Sequence, residues 1–325
     1  SIKCSGNWMW NIKREGEYSA LYDTAQEMCK TMNKLGIALD GGKDSLSMSV
    51  NNNDKVISSP GTLVISGYAP CPDINIKVTP LLQKTNTSII LLHFEKYRMG
   101  GSCLYKELNS LGFEPPKLDN PSELKTMFNF VQLNIKEGNI LALHDRSDGG
   151  LITTLMEMAI TSNIGLTITL PTFDYKDSVN FLFNEELGVV IEIENSKLLN
   201  FEKICKKEKI KYNYLGTTNT DKKCIIYDQE EDILLNLNLS IIRNYWEFTS
   251  YELDKLQTKI SCVNQEYNFY TSKNIDNYYL LNEYVNNFCN NSFFITINEP
   301  IQYKIAIIRE EGSNGDKEMQ AAFYY

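Results

Sequence analysis

An α/β fold built on mixed sheets and covered by helices is what this sequence predicts, on three observations. Residues 87–94 form a nearly continuous apolar run through Ile89, Ile90, Leu91 and Leu92, the pattern of a strand buried on both faces at the centre of a sheet. Residues 18–35 space Leu21, Ala25, Met28, Met32 and Leu35 three to four apart ahead of Gly36, which predicts a helix with an apolar, core-facing stripe and a glycine stop. Residues 140–159 pass from the apolar run Ile140-Leu141-Ala142-Leu143 through a Gly-Gly turn into the helical pattern Leu155-Met156-Met158-Ala159. A chain of 325 residues can bury a substantial core and form two domains of ordinary size.

The remaining elements follow in order. Residues 62–69 read as a strand. Gly100-Gly101-Ser102 opens a helix to Leu111 and suits an anion site or a plain N-terminal cap equally well. Pro121 and Glu123 sit where a first helical turn prefers them, starting a helix over 121–136. A strand at 187–194, a helix at 196–208 and a strand at 224–228 complete an α/β lobe. From 246 to 298 the composition shifts to Asn, Tyr, Lys and Ser with little periodicity. That stretch reads as a linker partly ordered by Trp246, Tyr251, Tyr270 and Phe293, or as plain disorder. Ile305-Ala306-Ile307-Ile308 then carries a parallel-strand signal, and residues 318–325 begin a helix.

Composition excludes several classes of function. The net charge of −9 argues against nucleic-acid binding, which draws on clustered Lys and Arg. The basic stretch at 203–211, interrupted by Ile204 and Glu208, reads as a solvated helix face. No run of eighteen apolar residues offers a membrane span, and Ser1-Ile2-Lys3-Cys4 is not a signal peptide. Eight scattered cysteines without a Cys-x-x-Cys pair encode neither a zinc knuckle nor a disulfide framework. A reducing cytoplasm is the compartment these features predict.

Chemistry concentrates in His144-Asp145-Arg146-Ser147-Asp148-Gly149-Gly150-Leu151. A strand delivers a carboxylate and a hydroxyl at its end, and Gly149 and Gly150 let the chain turn so that helix N–H groups can face an anion. Mg²⁺ takes hard oxygen ligands, so Asp145 is the natural metal ligand and Ser147 a phosphate donor, with Asp148 as the helix N-cap. The same residues also suit a simple capped turn. Asp40-Gly41-Gly42-Lys43-Asp44-Ser45 is the second candidate. Gly41 and Gly42 allow close backbone approach, while Lys43, Asp44 and Ser45 supply groups for a phosphate and its counter-ion. It lacks Walker spacing, and a solvated hairpin turn is the competing reading.

Glu185 and Glu186, just ahead of a strand, either join a metal site or are simply solvated. His93 reads as a satisfied core or edge residue. His144 reads as a neighbour orienting Asp145, with general-base duty as the alternative.

The order of motifs resembles one family. Ser5-Gly6-Asn7-Trp8-Met9-Trp10, Gly16-Glu17, Leu21-Tyr22-Asp23, Gly42-Lys43-Asp44-Ser45-Leu46-Ser47-Met48, Ser59-Pro60, Leu63-Val64-Ile65-Ser66, the His144–Leu151 motif, Phe183-Asn184-Glu185-Glu186-Leu187-Gly188 and the segment from Ala306 to Met319 together resemble phosphoribosylformylglycinamidine synthase in its long single-chain form. That resemblance implies a two-lobe architecture like that of AIR synthetase, in the second of two tandem synthetase halves. The implied boundaries are 1–78 for the end of the N-lobe, 79–245 for the C-lobe, 246–302 for a linker and 303–325 for the start of a class I glutaminase.

It further implies an ATP-dependent amidotransferase that converts formylglycinamide ribonucleotide, with glutamine-derived ammonia, to the amidine of purine synthesis. Asp145 matches a Mg²⁺ ligand, and Ser147 an ATP-contacting residue of a Mg–ATP or Mg–ADP site that is auxiliary. The remaining metal ligands, the acting histidine of the first half and the glutaminase Cys-His-Glu set fall outside this chain, so no catalytic residue is assigned within it. A non-catalytic nucleotide-holding module is the alternative from another class. AIR synthetase, selenophosphate synthetase and thiamine monophosphate kinase share the fold, and Arg309-Glu310-Glu311-Gly312-Ser313-Asn314-Gly315 speaks against them.

Overall fold

The computed structural model describes residues 2–53, 55–171, 175–271, 305–309 and 315–324. Two units are present, Ser1–Thr271 and Ser272–Tyr325.

The first unit opens with a three-stranded sheet. Strand β1 (Lys3–Met9) lies between β2 (Ala38–Ser45), parallel to it, and β5 (Thr62–Tyr68), antiparallel. Between β1 and β2 runs α1 (Glu17–Leu35), which ends where Gly36 takes a left-handed φ of 75° and donates its N–H to the carbonyls of Met32 and Asn33. The expected stripe of Leu21, Met28 and Met32 is there, but it is half-buried, and no residue of α1 is fully buried. It is therefore a surface helix whose apolar face leans on β2 and on a helix of the larger sheet. A hairpin of β3 (Ser49–Asn52) and β4 (Lys55–Ser58) stands beside this sheet.

The larger sheet has seven strands in the order β12-β11-β8-β10-β6-β9-β7. They are β6 (Ser88–His93), β7 (Ala142–Asp145), β8 (Gly165–Thr169), β9 (Gly188–Ile193), β10 (Tyr212–Asn219), β11 (Lys223–Tyr227) and β12 (Ile233–Asn238). Only β8 and β11 pair in parallel; the other neighbours are antiparallel. Every residue of β6 is buried, as its apolar run predicts. Because side chains alternate across a strand, Ile89 and Leu91 join one core with Leu151, Leu155, Met158, Leu166 and Phe181. Ile90 and Leu92 join a second core with Met127, Phe130, Phe201 and Cys205.

The first core is roofed by α4 (Gly150–Ser162), α5 (Tyr175–Phe183) and α7 (Leu239–Asp254), the second by α3 (Pro121–Lys136) and α6 (Leu198–Lys207). The short α2 (Cys103–Glu107) precedes α3. Strand β9 also supplies a buried carboxylate. Glu192 accepts the N–H of Gln83 at 2.8 Å, the N–H of Lys84 at 3.2 Å and the Thr87 hydroxyl at 2.7 Å, tying down the segment that enters β6.

The stretch from 246 has regular structure where it is described. Residue 246 lies inside α7, and a further helix, α8 (Ile260–Thr271), follows. The described part of the Asn- and Tyr-rich stretch is thus a helical pair, joined where the Tyr251 and Tyr267 rings stack with centroids 4.2 Å apart. Val263 is the buried residue of α8, and the other apolar contacts of the pair include aromatic ones, so its composition gives little helical periodicity. Positions 272–302 lie outside the described residues.

In the second unit, α9 (Asp316–Tyr324) forms as a helix, while 305–309 adopt no strand. A strand needs a hydrogen-bonded neighbour, and none pairs with this run among the described residues. Residues 310–314 of the Arg309–Gly315 discriminator are not among the described residues.

Candidate functional site

Asp145 closes β7 at one edge of the large sheet, opposite Val189 of β9. Its carbonyl accepts the Thr154 hydroxyl at 3.1 Å, which fastens the strand end to α4. Its side chain is 69% exposed, and His144 Nδ1 lies 3.2 Å from its Oδ1. The other face of that imidazole meets Glu157, with Nε2 2.8 Å from Oε2. His144 therefore stands between the two carboxylates, in contact with Asp145 on one side and Glu157 on the other. Ser147 and Asp148 are exposed.

The turn that follows is shaped by close backbone approach. Gly149 and Gly150 have φ of 81° and 76°, values that L side chains avoid. A Cβ on Gly150 would stand 2.6 Å from the Phe183 carbonyl carbon, so the turn packs directly on the end of α5. Gly149 rather than Asp148 is the N-cap of α4, and no side chain of the turn caps it. Glu185 takes that role from across the fold. Its Oε1 accepts the N–H of Gly149 at 2.8 Å and the N–H of Cys103 at 2.8 Å. The Gly150 N–H is bonded to the Ser147 carbonyl at 3.0 Å. A carboxylate of the chain itself thus fills the anion position at this helix start, where the sequence reading places a phosphate on Gly149 and Gly150.

Glu185, half-buried, and Glu186, buried, are both engaged with other parts of the chain. Glu186 is buried and ion-paired with Arg98, whose Nη2 lies 2.9 Å from Oε2. Arg98 also reaches Asp119 at 2.9 Å, which holds that carboxyl below its usual range, while Glu186 raises the guanidinium further. Arg146 is buried beside them. Its Nε donates to the Glu186 carbonyl at 2.6 Å and its Nη2 to the Leu187 carbonyl at 3.0 Å, while Nη1 has no partner. Burial pushes its pKa down to about 10, and the Glu186 charge opposes that. Sequence reading passed over Arg146, although a lone arginine beside an apolar strand invites the question of what it pairs with.

His93 is buried, as expected of a core histidine. Its Nδ1 accepts the Glu95 N–H at 3.2 Å. Burial, helped by the Arg146 charge, lowers its pKa to about 4.

The second candidate takes a different form from the expected loop. Gly41, Gly42, Lys43, Asp44 and Ser45 lie within β2, paired in parallel with β1. Gly42 sits opposite Gly6, and a Cβ there would stand 2.5 Å from the Gly6 carbonyl oxygen, so the glycine serves strand packing. Lys43 contacts the Ser45 hydroxyl, while Lys3 Nζ lies 3.1 Å from Asp40. Gly41–Ser45 and Asp145–Gly150 belong to separate sheets, with no hydrogen bond or ion pair joining them among the described residues. The Gly100-Gly101-Ser102 loop resolves as a cap. Ser102 accepts the Tyr105 N–H, and the N–H groups of Gly100 and Gly101 bond the Glu114 and Leu111 carbonyls, each at 2.7 Å.

Whether these residues fit a Mg–nucleotide can be judged from the donors. Asp145 presents one accessible hard oxygen donor at a strand end, as Mg²⁺ coordination asks, beside the exposed Ser147 hydroxyl. No group of three or more His, Cys, Asp or Glu placed to hold a metal exists among the described residues. The chain therefore fits as the source of one ligand. A cavity of about 420 Å³, lined by His93, Met127, Lys209 and Lys211 among others, opens beside α3, and neither Asp145 nor Ser147 lines it. All seven described cysteines are free. No helix of the described residues is long and apolar enough to cross a membrane.

Comparison with known proteins places this geometry in context. Residues 1–70 match the FGAR-AT PurM_N-like domain family, and residues 89–229 match the AIR synthase related protein C-terminal domain. A protein of Arabidopsis thaliana named probable phosphoribosylformylglycinamidine synthase, chloroplastic/mitochondrial, is 40% identical over 99% of this chain and 23% of its own length. The human phosphoribosylformylglycinamidine synthase is 36% identical over 99% of this chain and 24% of its own. Among solved structures, Thermotoga maritima PurL complexed with FGAR superposes with a TM-score of 0.56 at 13% identity, over 74% of this chain and 39% of that one. Escherichia coli HypE, a hydrogenase maturation protein, gives 0.54 at 16% identity over 73% of each chain. Both share the fold.

Proposed function

We infer that this chain, which belongs to the phosphoribosylformylglycinamidine synthase family and spans about a quarter of the length of the curated relatives it matches, is a segment of an ATP-dependent ligase of purine biosynthesis. The observation that carries the reading is the relationship itself, 34–40% identity from one end of the chain to the other with five curated relatives of that name. In such a reaction ATP activates the glycinamide carbonyl oxygen of formylglycinamide ribonucleotide as a phosphate ester, the formyl group being left intact. Ammonia released from glutamine then adds at that carbon, and phosphate departs with the oxygen. Positioning and charge neutralisation are the protein's share of such phosphoryl transfer.

Within that enzyme we assign residues 1–78 to the end of an N-lobe, 79–245 to a C-lobe, 246–302 to a connecting segment and 303–325 to the start of a glutaminase. The first half, the glutaminase and the remaining metal ligands belong to the rest of the longer polypeptide.

Asp145 would hold Mg²⁺ and Ser147 would contact the phosphates of a bound ATP or ADP. The exposed carboxylate at the β7 end and its imidazole neighbour support this. Gly149 and Gly150 shape the turn, with Glu185 on the Gly149 N–H. The Gly41–Ser45 segment remains a candidate for the nucleotide through its exposed Lys43 and Asp44. Bound metal would neutralise phosphate charge at Asp145. The scattered cysteines, without a Cys-x-x-Cys pair, favour a reducing compartment, the cytoplasm.

The second reading makes the Asp145 nucleotide a structural ligand that is never turned over. Its support is Glu185, which anchors the turn as a fixed scaffold. Mass spectrometry of nucleotide released from the full-length protein separates the two. Labelled ATP exchanging into the Asp145 site during turnover favours the first; ADP that survives purification without exchange favours the second. Nucleotide content identical in wild type and Asp145→Asn would sink both.

A further inference from the structure

We propose that Glu157 is a positioning residue for Asp145, acting through the His144 imidazole, and that it thereby sets the affinity of the Asp145 site for a divalent cation. This rests on the reading of Asp145 as a metal ligand. A carboxylate 69% exposed at a strand end has no packing to fix its rotamer. What fixes it is a chain of three side chains from two elements. Glu157 lies on α4 with its carboxylate 25% exposed, and its Oε2 is 2.8 Å from His144 Nε2. The ring, 18% exposed, presents Nδ1 to Asp145 Oδ1 at 3.2 Å.

The Glu157 contact on Nε2 limits how far the ring can turn and so keeps Nδ1 against Asp145 Oδ1, with Oδ2 left for a cation. This is the arrangement by which outer-shell carboxylates orient metal ligands through histidine, here with a second carboxylate as the ligand. Glu157 belongs to none of the sequence motifs that point to nucleotide binding, and the element it stands on starts five residues beyond Asp145.

The test uses the full-length protein with Mn²⁺ as the probe, titrated and followed by electron paramagnetic resonance. The ion whose signal is lost in Asp145→Asn defines the site. Glu157→Ala is expected to weaken that ion by about 10- to 100-fold, and Glu157→Gln, which keeps an oxygen for the Nε2–H, to recover most of the affinity. A purely structural role for Glu157 would lower the metal-free melting temperature without this split between variants. Should Glu157→Ala fail to fold, Glu157→Asp, which draws the carboxylate back by one methylene, takes its place with the same expected loss. Wild-type Mn²⁺ affinity in these variants, with binding abolished in Asp145→Asn, overturns the role of Glu157 and leaves the cation site standing. Undiminished Mn²⁺ binding in Asp145→Asn removes the site itself.

Discussion

Glu185 holds Gly149: a side-chain oxygen of the β9 approach lies 2.8 Å from the amide nitrogen that begins α4. The same oxygen takes the Cys103 amide at 2.8 Å, so one carboxylate ties together segments 36 and 82 residues away in sequence. Removing it exposes two N–H groups of a partly buried turn. Glu185→Ala is expected to cost about 1–3 kcal/mol in urea denaturation. Because the vacated position faces a helix start, phosphate buffer should restore part of the loss relative to an uncharged buffer of equal ionic strength.

Gly150 tests the packing of the turn. Alanine there meets both a φ of 76° and the Phe183 carbonyl carbon 2.6 Å away. Strain of the first kind alone costs about 1–3 kcal/mol. Gly150→Ala should therefore be among the most damaging alanine substitutions in the chain, read as a fall in melting temperature, whereas Gly101→Ala meets no atom within 4 Å and bears only the φ strain.

The Arg98–Glu186 pair is largely shielded from water, with side chains 11% and 4% exposed. Breaking a buried pair by removing one partner costs about 3–5 kcal/mol, because the other charge stays behind. Glu186→Gln should approach the lower end, since Gln still accepts from Arg98. Arg98→Met should approach the upper end, and the double variant should lose less than the sum. A double-mutant cycle in denaturant measures this coupling.

His93 gives stability a pH dependence. Its folded pKa of about 4 lies below the ordinary imidazole value of about 6.5, so the unfolded chain binds the proton more readily. The contribution is fully present above about pH 6.5 and is lost as pH falls towards 4, amounting to about 3 kcal/mol at its full extent. Asp119, lowered by Arg98, adds a loss of the same sign at lower pH. His93→Gln should flatten the stability profile between pH 6.5 and 4.5, measured by urea midpoints at fixed ionic strength.

What was legible in the sequence and what was not divide along physical lines. Residues 121–136 announce their helix through Pro121 and an acidic first turn, and β6 through its unbroken apolar run, because these signals are local. His144 beside Asp145 was readable for the same reason. Strands β8, β10 and β12 were passed over. In β10, Tyr, Asn and Thr alternate around few apolar residues, and it is a strand because β6 and β8 flank it. Gly41 and Gly42 imitate a loop, yet their lack of side chains admits β1. Glu185, Glu186 and Arg146 were misread or missed because their partners, Gly149 and Cys103 for Glu185, Arg98 for Glu186 and the Glu186 and Leu187 carbonyls for Arg146, lie far away along the chain.

Glu192 has a mechanical consequence. The segment leading into β6 is anchored from Thr79, whose carbonyl takes the Leu143 N–H, through Leu82, bonded to Ser162, to the Gln83 and Lys84 amides on Glu192. Swivelling of the three-stranded sheet against the seven-stranded one must therefore be absorbed before Thr79, in the exposed stretch around Ile74. A proline placed there would stiffen the joint without touching either core.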